Sequence, residues 1–375
     1  MKPPLKFIHT ADLHLGAKFV QLGEKGRAQR ERLRATLAEI AELAVRHQVR
    51  LVLLAGDLFD SAAPSPESLA ALRQAMSRLS AAGIRVLMIA GTHDAWDRGT
   101  ALNRLASEYP GQLIVFTPQT AEWNDPELQV TIQGISLRQA DEPKRPVALL
   151  RRTEAEGWHL GLAHAALELG SNPLREAVFT PAEVEATQLD YLALGHWHRQ
   201  RDCSAGATTA WYSGSPETIA LDEAEPGSVL LVTLEEGKKT SVEPLPVGKR
   251  RILRLAAEGL DQAAILKLAG AQRDPEAILD LTLTGLIAPT SAPDLDALRK
   301  ALEPDFFFVR LHNAMHAEFT PEAMAVYPES TVIGRFIRLA QERKASANPE
   351  KAEEVEAALQ LGLSWLLGRE TAPWS

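Results

Sequence analysis

Residues Ile89 to Asp97 read IAGTHDAWD, and the way this stretch ends decides how the chain before it folds. An apolar run, Val86-Leu87-Met88-Ile89-Ala90, stops at Gly91, and a hydroxyl, an imidazole and a carboxylate follow in succession at Thr92, His93 and Asp94. Read alone, Gly91-Thr92-His93-Asp94 is a turn, with glycine supplying an unusual backbone conformation and Asp94 capping what comes next. Upstream, SPESLAALRQAMSRLSAAG (65–83) opens with the Ser-Pro-Glu start of a helix and stops at Gly83. Before it lies VRLVLLAGDLFD (49–60), a buried strand running into a loop. AQRERLRATLAEIAELAVRH (28–47) repeats apolar residues at helical spacing, and LKFIHT (5–10) is the first strand. Strand and helix therefore alternate from residue 5 to 94, the pattern of a layered α/β sheet.

Further on the chain becomes strand-rich. LIVFT (113–117), VTIQGIS (130–136), WHLGLAHAAL (158–167), LDYLALGHWH (189–198) and TTAWYSGSPE (208–217) read as strands with tight turns. GSVLLVTLEEGKKTSVEPL (227–245) reads as a hairpin turning at Glu236-Gly237. A second sheet packed on the first is expected. The pattern breaks at PLPVGKRR (244–251), after which a β-α-β-α-β string runs to about residue 318, followed by two helical stretches, 331–344 and 351–370. The expected domains are 1–245, 246–325 and 326–375.

Bulk properties narrow the function. The 375 residues are 45% hydrophobic and 24% charged, and 40 Lys and Arg against 49 Asp and Glu give a net charge of -9. That balance argues against a dedicated electrostatic nucleic-acid binder, while leaving room for local basic patches. The single cysteine, Cys203, excludes an intrachain disulfide and fits a reducing compartment. No apolar run approaches the roughly 20 residues of a membrane helix, and the N-terminus lacks the apolar core of a signal peptide. A cytoplasmic protein with no membrane partner is expected.

The chemistry gathers where strands end. HTADLHLG (9–16), LAGDLFD (54–60), IAGTHD (89–94), GLAHAAL (161–167) and LGHWH (194–198) each deliver His or Asp directly after an apolar run. In open α/β sheets the loops beyond the carboxyl ends of strands are where ligands bind. Asp12 and His14, two residues apart, would lie on one face of an extended segment, and His196 and His198 repeat that alternation with Trp197 pointing away. Asp57 follows Gly56, and Asp60 could curl back toward the same space. With His93 and His164 the pool is three Asp and five His, oxygen and nitrogen donors without thiolate. Such a set suits manganese, iron or zinc, and its size suggests two ions. A lone His or Gly-Asp at a strand end is usually a surface or turn residue; five such segments together are hard to assign to chance.

The ordered set D-x-H, G-D-x-x-D, G-x-H-D, a lone His after a strand and G-H-x-H resembles the calcineurin-like metallophosphoesterases. Within them, FIHTADLHLG and LAGDLFD are similar to the SbcD group of DNA repair exonucleases, nuclease partners of SMC-like ATPases. The resemblance covers residues 5 to 245 and implies a two-sheet sandwich flanked by helices, with a small α/β capping domain and a C-terminal helical pair. It implies that Asp12, His14 and His198 hold one metal, that Asp57 bridges, and that His164 and His196 hold the second. Manganese is the first choice of metal, with magnesium, iron and zinc as alternatives. His93 would stand off the metals as general acid, oriented by Asp60. Thr92 occupies the position where the family usually places a metal-binding Asn, so a shorter and weaker donor completes the second site.

The resemblance further implies DNA as substrate, a 3′ to 5′ exonuclease that also acts as an endonuclease, double-strand break repair as the setting, and homodimerisation through helices near 66–82 and 98–108. Lys18, Arg98, Arg199 and Arg201 are the basic residues placed to contact a phosphate backbone, and Lys249, Arg250, Arg251 and Arg254 stand at the start of the capping domain. Phe306-Phe307-Phe308 reads as a core strand. The apolar stripes Ile333, Phe336, Ile337, Leu339 and Val355, Leu359, Leu363, Trp365 favour docking of the last two helices on the ATPase over packing within the chain. The rival readings are a phosphodiesterase or phosphatase for small molecules, and a degenerate phosphoesterase serving as a DNA-binding scaffold subunit.

Overall fold

Alternation of β- and α-periodicity along the first third becomes β1 (Leu5–Thr10), α1 (Gly26–Arg46), β2 (Leu51–Ala55), α2 (Pro66–Ala81), β3 (Arg85–Ile89), α3 (Ala101–Glu108) and β4 (Leu113–Val115). The structure is a computed structural model that describes residues 2–97, 100–119, 121–138, 145–168, 177–221, 227–287, 292–317 and 319–367. Ser65 caps α2 by accepting from the Ser68 amide at 3.2 Å, with Pro66 in the first turn, and Gly83 ends the segment at φ 69°.

The strand-rich stretch supplies β5 (Ala121–Asp125), β6 (Val130–Gly134), β7 (Trp158–His164), β8 (Ala166–Leu167) and β9 (Val178–Phe179). Then follow α4 (Pro181–Thr187), β10 (Tyr191–Gly195), β11 (Arg201–Asp202), β12 (Thr209–Tyr212), β13 (Ser228–Leu234) and β14 (Ser241–Pro246). One six-stranded sheet has the order β14-β13-β1-β2-β3-β4 and the other β11-β12-β10-β7-β6-β5; β8 and β9 pair separately. The hairpin expected at Glu236-Gly237 joins β13 to β14, with Gly237 at φ 77°.

Period-two alternation explains the layering. Phe7, Leu53 and Leu87 meet Ile132, Leu160 and Tyr191 of the second sheet in one core. Ile8, Val52 and Val86 face the opposite way, onto Leu33, Leu37 and Ile40 of α1 and Leu72, Met76 and Leu79 of α2. Each such side chain contributes about 1.5–3 kcal/mol by leaving water. Because β1, β2, β3 and β4 are mutually parallel, and β6, β7, β10 and β12 likewise, each sheet sends several carboxyl ends to one edge.

The chain divides into two compact units, Met1–Arg251 and Ile252–Ser375. Residues 247–251 stay with the first unit for a physical reason. Val247 is in its core, and Glu217 accepts from the amides of Lys249 at 2.9 Å and Arg250 at 3.0 Å. Arg250, 6% exposed and bonded to Gln29 at 3.0 Å, is thus a buried brace of the first unit, so it does not open a basic surface on the second.

The second unit contains β15 (Ile252–Glu258), α5 (Gln262–Gly270), β16 (Asp274–Ile287), α6 (Leu295–Leu302) and β17 (Phe306–Ala317). The three strands form a parallel sheet whose odd-numbered Leu253, Leu255, Leu279, Leu281, Leu283 and Val309 pack with α5 and α6. Phe306 and Phe307 are buried, as a core strand requires. Three helices follow, α7 (Pro321–Ala325), α8 (Val332–Ala345) and α9 (Pro349–Leu366). The expected apolar stripes divide: Ile337, Leu359 and Leu363 pack together with Phe319 and Met324, while Leu339 and Trp365 remain exposed, as do their neighbours Val332 and Leu366. Among the described residues no helix is long and apolar enough to cross a membrane.

Candidate metal centre

Asp12 and His14 are not on an extended segment, contrary to the reading from their spacing. Both adopt left-handed backbone, φ 54° and 46°, because the loop after β1 is tied to the loop after β2. The ties are backbone hydrogen bonds: Asp12 N donates to Gly56 O at 3.1 Å, His14 N to Asp57 O at 3.0 Å and Leu15 N to Leu58 O at 2.9 Å. Asp57 at φ 50° and His196 at φ 100° share the habit. Half of the eight described non-glycine residues with positive φ are therefore candidate ligands, strain of the kind that functional loops retain.

These turns aim the side chains at one space. Asp57 Oδ2 lies 3.3 Å from His164 Nε2 and 3.7 Å from His14 Nε2, and it accepts from Thr92 Oγ1 at 3.2 Å. Asp57 Oδ1 accepts from the His93 amide at 2.8 Å, and both Asp12 oxygens accept from the His196 amide, at 3.0 and 3.1 Å. Donor atoms of Asp12, His14 and His198 fall within 4.8 Å of one another, as do those of Asp12, Asp57 and His164, and of His14, Asp60 and His93. The ring of His196 stands edge-on to that of His164, with centroids 5.3 Å apart. Asp60 is shared: its Oδ1 bonds His14 Nδ1 at 3.1 Å and stands 3.6 Å from His93 Nδ1. His93 is half-exposed, its ring 4.6 Å from that of His14.

The residues fit divalent cations. His164 gives its Nδ1 proton to Ala55 O at 2.9 Å, which fixes the tautomer and turns Nε2 toward the carboxylates. Both His164 Nε2 and His14 Nε2 are buried and face the Asp57 carboxylate, at 3.3 and 3.7 Å, without a well-formed hydrogen bond, an arrangement that costs free energy unless a proton or a cation lies between nitrogen and carboxylate. The electrostatics agree. Burial opposes charge on His164, yet Asp57 beside it holds the imidazole up at about 10. Burial likewise opposes charge on Asp57, and His164 and His14 override it, leaving the carboxyl well below its usual range. Burial raises Asp12, and burial with the His164 charge pushes His196 down to about 4. The same buried carboxylates that draw a proton onto His164 would be neutralised by a divalent cation, which would displace that proton.

Glycines make the close approach feasible. A Cβ on Gly91 would stand 2.2 Å from Asp57 Oδ1, and one on Gly56 2.4 Å from His164 Nδ1. Asp94, read from sequence only as a cap, does more: buried at 1% exposure, it accepts from Gly91 N at 2.8 Å, Leu58 N at 2.9 Å and Phe59 N at 3.2 Å. It therefore clamps the loop after β3 to the loop after β2, and burial beside Asp57 raises its carboxyl to about 7. Its place as the last residue of Gly-Thr-His-Asp was the only signal. His9, bonded to Tyr191 at 2.9 Å between the sheets and pushed down to about 3 by burial, also escaped the sequence reading. Of the basic residues singled out, Lys18 lies in the loop after His14, Arg199 follows His198 and Arg201 opens β11; Arg98 lies outside the described residues.

Comparison with known proteins accords with this geometry. The chain is 28% identical over 245 residues to the uncharacterized metallophosphoesterase YhaO of Bacillus subtilis, covering 63% of this chain and 59% of that one. It is 27% identical over 342 residues to the SbcD component of the nuclease SbcCD of Bacillus subtilis, covering 82% and 85%. It is 27% identical over 263 residues to the DNA double-strand break repair protein Mre11 of Methanosarcina acetivorans, covering 66% of this chain and 39% of that one. Residues 5–200 match the profile of the calcineurin-like phosphoesterases, and the chain belongs to that family.

Proposed function

We propose that the chain is a metal-dependent nuclease that hydrolyses DNA phosphodiester bonds at a two-ion centre in double-strand break repair, together with an SMC-like ATPase. The observation that carries this reading is the buried Asp12–Asp57 pair with imidazole nitrogens of His14, His164 and His198 gathered around it, donor atoms within 4.8 Å of one another in each group of three. The likeness to the SbcD component of the Bacillus subtilis nuclease over most of both chains supports the choice of DNA.

In this reading Asp12, His14 and His198 hold one ion, Asp57 is shared, and His164, His196 and the Thr92 hydroxyl complete the other site, with manganese the first choice and magnesium, iron or zinc as alternatives. Bound divalent ions supply Lewis acidity toward a phosphate ester and lower the pKa of water. His164, anchored through Nδ1, presents Nε2 without reorganisation. His93, half-exposed at the rim, carries the proton for the departing oxygen, and Asp60, set between His14 and His93, steadies both rings. Thr92 already donates to Asp57, so its oxygen is oriented toward the same space as the carboxylate.

The small α/β part of the second unit would select DNA, and the exposed Val332, Leu339, Trp365 and Leu366 of α8 and α9 would dock on the ATPase. A homodimer, 3′ to 5′ polarity and a cytoplasmic setting belong to the same reading. The test is release of label from end-labelled linear duplex DNA in Mn²⁺, with Asp57→Asn assayed in parallel. Wild-type cleavage absent from the variant supports the nuclease. Hydrolysis of small phosphodiesters alone favours the small-molecule enzyme, and inactivity on both favours the scaffold.

A further inference from the structure

The loop that carries His14 continues into a cavity of about 580 Å³ in the first unit, with Gly16 and Lys18 on one wall and α1 on another. Helix α1 contributes Arg27, Arg30 and Arg34, spaced so that they share one face. We infer that this cavity binds backbone phosphates of a polynucleotide strand away from the bond being cut; the inference rests on the nuclease reading and extends it to named residues outside the metal centre.

Three observations support it. Charge is the first: among the described residues lining the cavity, Lys18 and the three arginines stand against two carboxylates, Glu31 and Glu67, in a chain whose net charge is -9. Glu31 is already engaged by Arg27 at 3.2 Å, and among the described residues neither Lys18 nor Arg34 has a carboxylate at ion-pair distance. Placement is the second: α1 begins at Gly26, its first turn contains no acidic residue, and Arg27 there runs against the helix dipole, while Arg27, Arg30 and Arg34, three and four residues apart on one face, repel one another. A bound anion would offset both costs. Mechanical continuity is the third. Arg30 Nη1 donates to Lys18 O at 2.9 Å, and Ala17 N donates to His14 O at 3.0 Å, so the cavity wall is bonded to the loop bearing a candidate ligand. Phosphate held there would fix the strand relative to the metal centre without reading its sequence.

The experiment is fluorescence anisotropy of a labelled 20-mer with the full chain in EDTA, over a series of salt concentrations. Arg30→Ala/Arg34→Ala is expected to bind about tenfold more weakly at low salt and to lower the slope of log affinity against log salt by about two. Arg34→Glu, which leaves the Arg30–Lys18 bond intact, is expected to lower it as well, and Arg30→Lys/Arg34→Lys to restore most of it. An unchanged slope in both loss variants, with wild type still binding and cleaving DNA, overturns the cavity assignment alone. Wild type that neither binds nor cleaves DNA overturns the nuclease reading and the assignment with it. Competition by a mononucleotide as strong, per phosphate, as by the 20-mer also overturns it, in favour of a free nucleotide.

Discussion

Each unit buries a carboxylate among basic groups, Asp57 in the first and Asp280 in the second, and the two are satisfied in different ways. Asp280 receives a two-pronged bond from Arg310, 2.8 Å to Oδ1 and 2.6 Å to Oδ2, with His312 at 3.2 Å and Arg254 at 3.8 Å. Burial pushes this carboxyl up, and the Arg310 guanidinium overrides it, holding it below the usual range. A guanidinium keeps its charge at every accessible pH, so the cluster on β16 and β17 is complete in itself. Asp57 faces imidazoles, whose charge is optional, with Nε2 of His164 at 3.3 Å and of His14 at 3.7 Å and neither in a well-formed hydrogen bond. A buried carboxylate with a permanent, geometrically matched cation is part of the frame; one surrounded by imidazoles, whose charge is optional, has a donor set that fits a divalent cation.

This contrast is open to direct attack. The largest expected effect is on chemistry: Asp57→Asn lowers hydrolysis of a phosphodiester by about a thousandfold or more, the several kcal/mol that a bound metal supplies. Asp280→Asn leaves the rate on a small chromogenic diester within about twofold. Equal losses in the two variants would erase the distinction.

Stability should reverse the ranking. Asp280→Asn leaves Arg310 without its carboxylate and is expected to cost the second unit about 1–3 kcal/mol, reduced from the fully buried case because Arg310 is partly exposed, and scanning calorimetry reads it as an earlier transition. An unchanged transition would place Asp280 outside the frame.

Thr92→Asn offers a finer probe, since an amide oxygen reaches further than the hydroxyl that now bonds Asp57. The expected result is metal binding about tenfold tighter. Unaltered affinity in a calorimetric titration would mean that Thr92 is an adequate donor as it stands.

The smallest expected effects are in pH dependence, where the two clusters have opposite slopes. Asp280 is depressed in the folded state, so its contribution is present above the unfolded value near pH 4 and is lost as pH falls through the lower folded value. His164 is raised to about 10, so in metal-free protein its contribution is present below about pH 6.5 and is lost as pH rises through 10. Urea midpoints across pH, with Asp280→Asn for comparison, should show the acid loss diminished in the variant and the alkaline loss retained.

Sequence made the strand ends of the first unit readable because largely continuous apolar runs terminate abruptly in His and Asp at five places. It misjudged Asp12 and His14, whose left-handed backbone is set by bonds to residues 56 and 57, a non-local cause invisible in a D-x-H spacing. Asp94 was undervalued for the same reason, since two of its three amide partners lie 35 and 36 residues away. The Asp280–Arg310 pair spans 30 positions between neighbouring strands, and an acid inside Leu279-Asp280-Leu281 carries no local sign of its partner. In the C-terminal helices, periodicity located the apolar stripes but could not divide them into the half that packs on Phe319 and the half left exposed.

Titration calorimetry of Mn²⁺ into chelator-stripped protein tests most directly whether the Asp57 cluster is a cation site. Binding of two ions per chain is predicted, with protons released as His164 gives up its charge, retained in Asp280→Asn and lost or halved in Asp57→Asn. No saturable binding, or binding unchanged in Asp57→Asn, would contradict it.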